Sequence, residues 1–367
     1  MRGESELDGR PGDVDFLVSP ADIARFDGIA RRLGFARLPS AGYGSHAFLV
    51  AYDEPTDRWL KLDTVTELAY GPSFALRLPA ATTAASLERR RRSGPAFVLD
   101  VGDGFWTLLL HGLLDKAAVD DATRQRLQER APEGRAGGPV ATALAPLLHD
   151  GWSLERVVAA VSAGDWPGLD RLGGKVAAAW RRRDPVDILR RRAAGPLRLR
   201  AGRLARIRRP RGIGVALVGD ATVTARLASQ LARDVPLPVR MPTLPPAGRS
   251  VARSLRDRMR LGQCLLIFRA TALEDLPIGW TGDSSTGGSA VTEALSSPAP
   301  DLVIVLGAAG SPAATEVEHE IRSAARSDIR PVDASVSEER LGRIVAVLVW
   351  ERLAERWNAL DRRSTES

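Results

Sequence analysis

Apolar and polar positions follow three rhythms along this chain. The first, over residues 14–78, mixes short apolar runs with one helical stretch. Val14–Val18 is a run interrupted by Asp15. Pro20–Leu33 sets Ile23, Phe26, Ile29, Ala30 and Leu33 at helical spacing, and Gly34 supplies the stop. Ala47–Tyr52 and Trp59–Val65 read as two strands around the turn-rich Asp53-Glu54-Pro55-Thr56-Asp57, and Phe74–Leu78 as another strand. The second rhythm, over 84–193, is helical. Its clearest stretch is Gly104–Val119, with Phe105, Leu108, Leu109, Leu113 and Leu114 on one side; others fall near 121–131, 139–150, 153–163, 168–181 and 184–193. In the third, over 212–357, β and α stretches take turns. Strands are expected at 213–218, 263–268, 301–306 and 330–333, and helices at 221–233, 249–260, 288–297, 313–326 and 337–357. That alternation predicts a parallel sheet with helices on both faces.

The expected fold is therefore α/β. It comprises an N-terminal α/β domain (1–83), a helical middle block (84–193), a basic linker broken by Gly and Pro (194–211), a three-layer domain with a parallel sheet (212–357) and a disordered tail (358–367).

Composition changes this picture little. Hydrophobic residues make up 44% of the 367, enough for a core in each part. The formal net charge of +7 comes mostly from arginine, clustered at 89–92, 181–183, 190–192 and 198–211. Such runs read first as solvated faces and second as contacts for phosphate-rich partners or anionic lipid. Cys264, the only cysteine, sits in an apolar run and reads as a buried thiol, so an intrachain disulfide or cysteine zinc site is excluded. No run of 18 apolar residues and no signal-peptide pattern occur, so a cytoplasmic protein without a membrane span is expected.

Two segments carry chemistry. Asp13 and Asp15 stand two apart on an expected strand, so their carboxylates share a face. Asp63 ends the run Trp-Leu-Lys-Leu-Asp. If the two strands are neighbours, three carboxylates converge, and their repulsion is relieved by divalent cations that also hold phosphates. Lys61, between Leu60 and Leu62, is expected to face away from Asp63. The second segment, Ile213–Arg233, has the strand, glycine and helix of a phosphate-binding loop, but Asp220–Thr224 stands where a second Gly, a Lys and a Ser or Thr belong. No Lys follows Lys175.

Gly3 and Ser5, then Asp13-Val14-Asp15, then Asp63 resemble the motif series of the nucleotidyltransferase superfamily. The resemblance implies Mg²⁺ bound by Asp13, Asp15 and Asp63, and a nucleoside triphosphate contacted by Gly3, Ser5 and Lys116. The superfamily's first helix and strand would precede Met1, so the resemblance implies either a start codon placed further upstream or a domain that has lost its first element. The whole chain resembles bacterial proteins of polysaccharide-biosynthesis clusters in which a thymidylate-kinase-like domain follows. That likeness rests on Gly12–Val18, Trp59–Gly71, Phe105–Lys116, Asp301–Leu306 and Val332-Asp333-Ala334-Ser335. Phe268-Arg269-Ala270 replaces an Asp-Arg-Tyr, Gly307 replaces an Asp, and only Arg322 and Arg326 remain of an arginine lid, which implies a pseudokinase.

The expected function is Mg²⁺-dependent transfer of a nucleoside monophosphate to a hydroxyl or phosphate acceptor; the alternative is an inactive scaffold of polysaccharide biosynthesis. Expected partners are the nucleotide, a small-molecule acceptor and proteins of that pathway, and nucleic acid is not expected among them. Among other candidates, His111 reads as structural, Tyr43–His46 as turn chemistry beside a pocket, and Trp280–Gly288 as a flexible loop.

Overall fold

The computed structural model of the chain describes residues 14–38, 45–71, 74–94, 96–116, 119–186, 188–189, 212–235, 239–240, 266–272, 301–307 and 328–365. The architecture is mixed α/β. Two compact units divide it: Met1–Arg32, Ser40–Leu49 and Leu62–Leu199 form the first, and Leu33–Pro39, Val50–Lys61 and Arg200–Ser367 the second.

The chain opens with β1 (Val14–Leu17), α1 (Ile23–Arg32), β2 (Ala36–Arg37), β3 (Ala47–Asp53) and β4 (Arg58–Val65). These strands make a sheet ordered β1-β4-β3-β2, in which β1 runs parallel to β4. A two-residue antiparallel pair follows, β5 (Ala69–Tyr70) with β6 (Leu76–Arg77), then α2 (Ala80–Glu88).

The middle block departs from the wholly helical reading of its spacing. An antiparallel hairpin, β7 (Arg91–Ser93) with β8 (Ala96–Val98), interrupts it. The turn residue Gly94, at φ 55°, reverses the chain there. Next come α3 (Val101–Leu114), α4 (Asp121–Gly134), α5 (Pro139–Leu144), α6 (Leu154–Ala163) and α7 (Trp166–Arg183). Side-chain caps set the helix starts. Asp100, Asp120, Ser153 and Asp165 accept from first-turn amides of α3, α4, α6 and α7. Hence α3 begins at Val101 and not at Gly104. Residues 105–110 of α3 are all buried, as an apolar helix at the centre of a block must be. Phe105, Trp106, Leu109, Leu127, Val157 and Leu169 form the centre of that core.

The second unit holds β9 (Ile213–Gly219), α8 (Ala221–Asp234), β10 (Val239–Arg240), β11 (Leu266–Ala272), β12 (Leu302–Gly307), β13 (Asp328–Asp333) and α9 (Glu338–Thr365). Its five strands run parallel in the order β10-β11-β9-β12-β13. Central β9 and β12 read as unbroken apolar runs because a parallel sheet buries both faces. β11 lies later than the expected 263–268, since Leu266 to Ala272 pair with the full length of β9. The tail expected to be disordered from 358 is helical: α9 continues to Thr365. Its buried stripe, Leu341, Val345, Val349, Leu353 and Trp357, recurs every fourth residue. In the same unit Tyr52, Trp59, Trp350 and Trp357 pack in a row, the first pair tilted and the other two edge to face, with ring centroids 5.2, 5.8 and 6.0 Å apart. The helices expected at 249–260, 288–297 and 313–326, and Cys264, lie outside the described residues.

Candidate functional site

The parallel pairing of β1 with β4 sets Asp15 directly opposite Asp63. Neighbouring strands lie about 4.8 Å apart, and residues in register point to the same face. The two carboxylates are therefore side by side. Alternation along β4 keeps them there: Thr64 points the other way, is fully buried, and donates its hydroxyl to the Ala47 carbonyl at 2.8 Å. A slip of one residue would bury Asp63 and expose Thr64. Lys61, two residues before Asp63 on an unbroken strand, lies on the Asp63 face, which corrects the opposite assignment made from its apolar neighbours.

Asp15 is exposed, whereas the Asp63 side chain keeps 18% of its surface. Asp63 Oδ1 lies 3.1 Å from Nδ1 of His46, whose ring stacks on Phe74 at a centroid distance of 3.9 Å. An ionised carboxylate only accepts, so Nδ1–H donates and the lone pair of a neutral ring falls on Nε2. Ser45 beside it accepts from the Thr66 amide at 3.3 Å, which ties this segment to the end of β4. His46 is the residue that sequence reasoning set aside as turn chemistry. Its pairing with Asp63 spans 17 residues and depends on the fold.

The other expected site residues are placed as follows. Asp13, Gly3 and Ser5 lie outside the described residues, as do Tyr43 and Gly44. Lys116 Nζ lies 2.5 Å from Asp120 Oδ2 and 3.3 Å from Thr123 Oγ1. Lys116, then the Thr123 side chain and amide, hold the Asp120 carboxyl well below the usual carboxylate range. Lys116 thus joins the capping of α4. His111 pairs with Asp115 at 2.8 Å, and Asp115 also accepts from the Gly71 amide, so His111 is part of a structural clip at the end of α3.

The donor set fits magnesium. Mg²⁺ takes oxygen ligands and commonly uses one or two carboxylates, with waters and substrate phosphates completing its shell. Asp15 and Asp63 supply two such carboxylates in register. Among the described residues no group of three or more His, Cys, Asp or Glu side chains is arranged to hold a metal ion.

The β9–α8 turn is the second place where an anion could sit. β9 ends at Gly219 and α8 begins at Ala221, so Asp220 alone connects them. The stretch Asp220–Thr224, expected to stand in place of a loop, is a cap followed by the first helical turn. Asp220 Oδ1 accepts from the amides of Thr222 at 2.9 Å and Val223 at 3.0 Å. Thr224 is fully buried and donates to the Ala221 carbonyl at 3.1 Å. A Cβ on Gly219 would lie 2.8 Å from Leu306 Cβ, so the strand end is packed shut against β12. This turn lies at the carboxyl ends of β9 and β12, where the chain departs toward opposite edges of the sheet, the usual ligand crevice of an open α/β fold. Here the chain's own carboxylate holds the amides that a phosphate would use.

Comparison with protein-family models, with curated proteins and with solved structures gives no match for this chain. Among the described residues no helix is long and apolar enough to cross a membrane.

Proposed function

We propose that the protein is a Mg²⁺-dependent nucleotidyltransferase whose site is built on β1 and β4, and that its C-terminal unit is a kinase-like fold without kinase chemistry. The observation that carries the reading is the register of Asp15 with Asp63. Two carboxylates on one face form the oxygen-rich site that a metal–triphosphate complex needs. When bound, Mg²⁺ would neutralise the triphosphate; Asp15 and Asp63, with Asp13 as the expected third, would hold it. In the reaction an acceptor oxygen bonds to the α-phosphorus, the bond from that phosphorus to the bridging oxygen breaks, pyrophosphate leaves, and the acceptor proton passes to a base or to solvent. His46, 3.1 Å from Asp63, would orient that carboxylate.

Support for the second half of the reading comes from Asp220. Phosphoryl transfer relies on positioning and electrostatic stabilisation. A strand-to-helix turn of one residue, capped by a carboxylate, repels the phosphates it would have to cradle. The parallel sheet is compatible with a degenerate thymidylate-kinase-like domain; an acceptor linked to polysaccharide synthesis and participation with that pathway's proteins remain parts of the proposal.

The test is to incubate the full chain with Mg²⁺ and each triphosphate, labelled at either the α- or the γ-phosphate, over a panel of sugar phosphates and polyols. Pyrophosphate release with α-label in the acceptor is expected. Transfer of γ-label, leaving a diphosphate, would overturn the assignment.

A further inference from the structure

The β7–β8 hairpin carries chemistry that the carboxylate site does not use. Its register sets Arg92 opposite Phe97 and Arg91 opposite Val98. Opposed residues of an antiparallel pair share a face, so Arg92 and Phe97 stand side by side. Phe97 is 63% exposed, an unusual place for a large apolar ring. The Arg90 guanidinium lies over it, 5.1 Å from the ring centroid. Arg90, Arg91 and Arg92 are exposed. The neighbouring Arg89 is neutralised by Asp100 at 3.1 Å. Arg90 and Arg92 instead donate to the backbone carbonyls of Leu87 at 2.5 Å and Gly94 at 3.3 Å. A carbonyl satisfies one N–H and cancels no charge, so both guanidiniums keep their charge and further donors.

We propose that this hairpin binds single-stranded nucleic acid, with Phe97 stacking a base and Arg90 and Arg92 taking phosphates. Charge complementarity calls for an anionic partner. The ring narrows the choice: a planar, partly exposed aromatic beside guanidiniums is the platform on which unpaired bases stack. An anionic bilayer is the poorer occupant, because insertion strength grows with buried apolar area and this hairpin exposes one ring. The sequence points any weaker nucleic-acid reading to the Arg-rich 181–211 segment, because Arg89–Arg92 reads as a solvated run until Phe97 is placed beside it. The proposal stands apart from the nucleotidyltransferase reading.

The experiment uses the full chain and a fluorescein-labelled oligothymidylate 12-mer, with anisotropy read across a salt series. The R90A/R92A double variant should flatten the log–log salt dependence by about 1.4, at about 0.7 per phosphate contact on single strands. Phe97→Leu should weaken binding about 5- to 150-fold and leave the slope unchanged. All three side chains are exposed, so thermal melting serves as a folding control and should not move. The proposal is overturned if the native chain leaves the 12-mer unbound at low salt, or if both variants bind with native affinity and slope. It is equally overturned if Phe97→Leu abolishes binding to phosphatidylserine vesicles while oligonucleotide binding is untouched.

Discussion

Asp63 and Asp220 are both strand-associated aspartates, and they are put to opposite uses. Asp63 lies within β4, where the sheet consumes the backbone amides, so its carboxylate is directed at side chains: Asp15 across the register and His46 at 3.1 Å. Asp220 follows the last residue of β9 and meets the unsatisfied amides of a helix start, two of which it binds. On the proposed reading the first carboxylate receives a cation. The other is spent at the surface as the cap of a helix. The residue type alone decides nothing; the neighbouring backbone does.

The largest way to break this comparison is Asp63→Asn. It removes the charge and keeps the shape, so nucleotidyl transfer should fall at least about 100-fold, several kcal/mol of electrostatic stabilisation, with melting little changed. Steady-state rates measured beside a thermal melt check this. An unaltered rate would remove the first half of the comparison.

Next is the scaffold beneath the second half. Trp357 is fully buried in α9 and meets Trp350 edge to face. Trp357→Ala should cost about 3–5 kcal/mol by denaturant unfolding. On the proposed reading the C-terminal unit binds no ATP, so excess ATP should leave the stability difference between the native and Trp357→Ala proteins unchanged.

A smaller effect sharpens the contrast directly. Asp220→Ala should destabilise the protein by about 0.5–2 kcal/mol, whereas Asp220→Gly should cost only a few tenths. Neither should lower nucleotidyl transfer. Equal stability of native and Asp220→Ala proteins would mean that the cap is not holding the helix.

The smallest effect is one of pH. Tyr52 donates to Asp57 at 2.6 Å, and burial, then that bond and the Asp57 charge, push its pKa above the ordinary phenol value. The folded state thus holds this proton more tightly than the unfolded state does. Its contribution is fully present below about pH 10 and is lost as pH rises beyond it. Unfolding at pH 8 and pH 11 should show a steeper alkaline loss for the native protein than for Tyr52→Phe.

Much of this was legible in the chain. The run Ile213–Val218 before an amphipathic stretch locates β9 and α8, and the two apolar runs carrying Asp15 and Asp63 read as strands, although their adjacency is only a condition in the sequence and is supplied by the pairing of β1 with β4. Local patterning suffices for such elements because period and burial agree. What escaped depends on partners distant in sequence. His46 finds Asp63 only when β3 and β4 pair, and β7 and β8 are three-residue strands too short to show alternation. Asp220 carries a legible signal, an Asp just ahead of a helical stretch, and its capping role coincides in position with a phosphate-loop pattern.

The most direct test is calorimetric titration of each triphosphate into the full chain with and without Mg²⁺, for the native, Asp63→Asn and Asp220→Ala proteins. The account predicts one Mg²⁺-dependent site, lost in Asp63→Asn and intact in Asp220→Ala. Binding that survives Asp63→Asn but disappears in Asp220→Ala would place the nucleotide on the β9–α8 turn and contradict it.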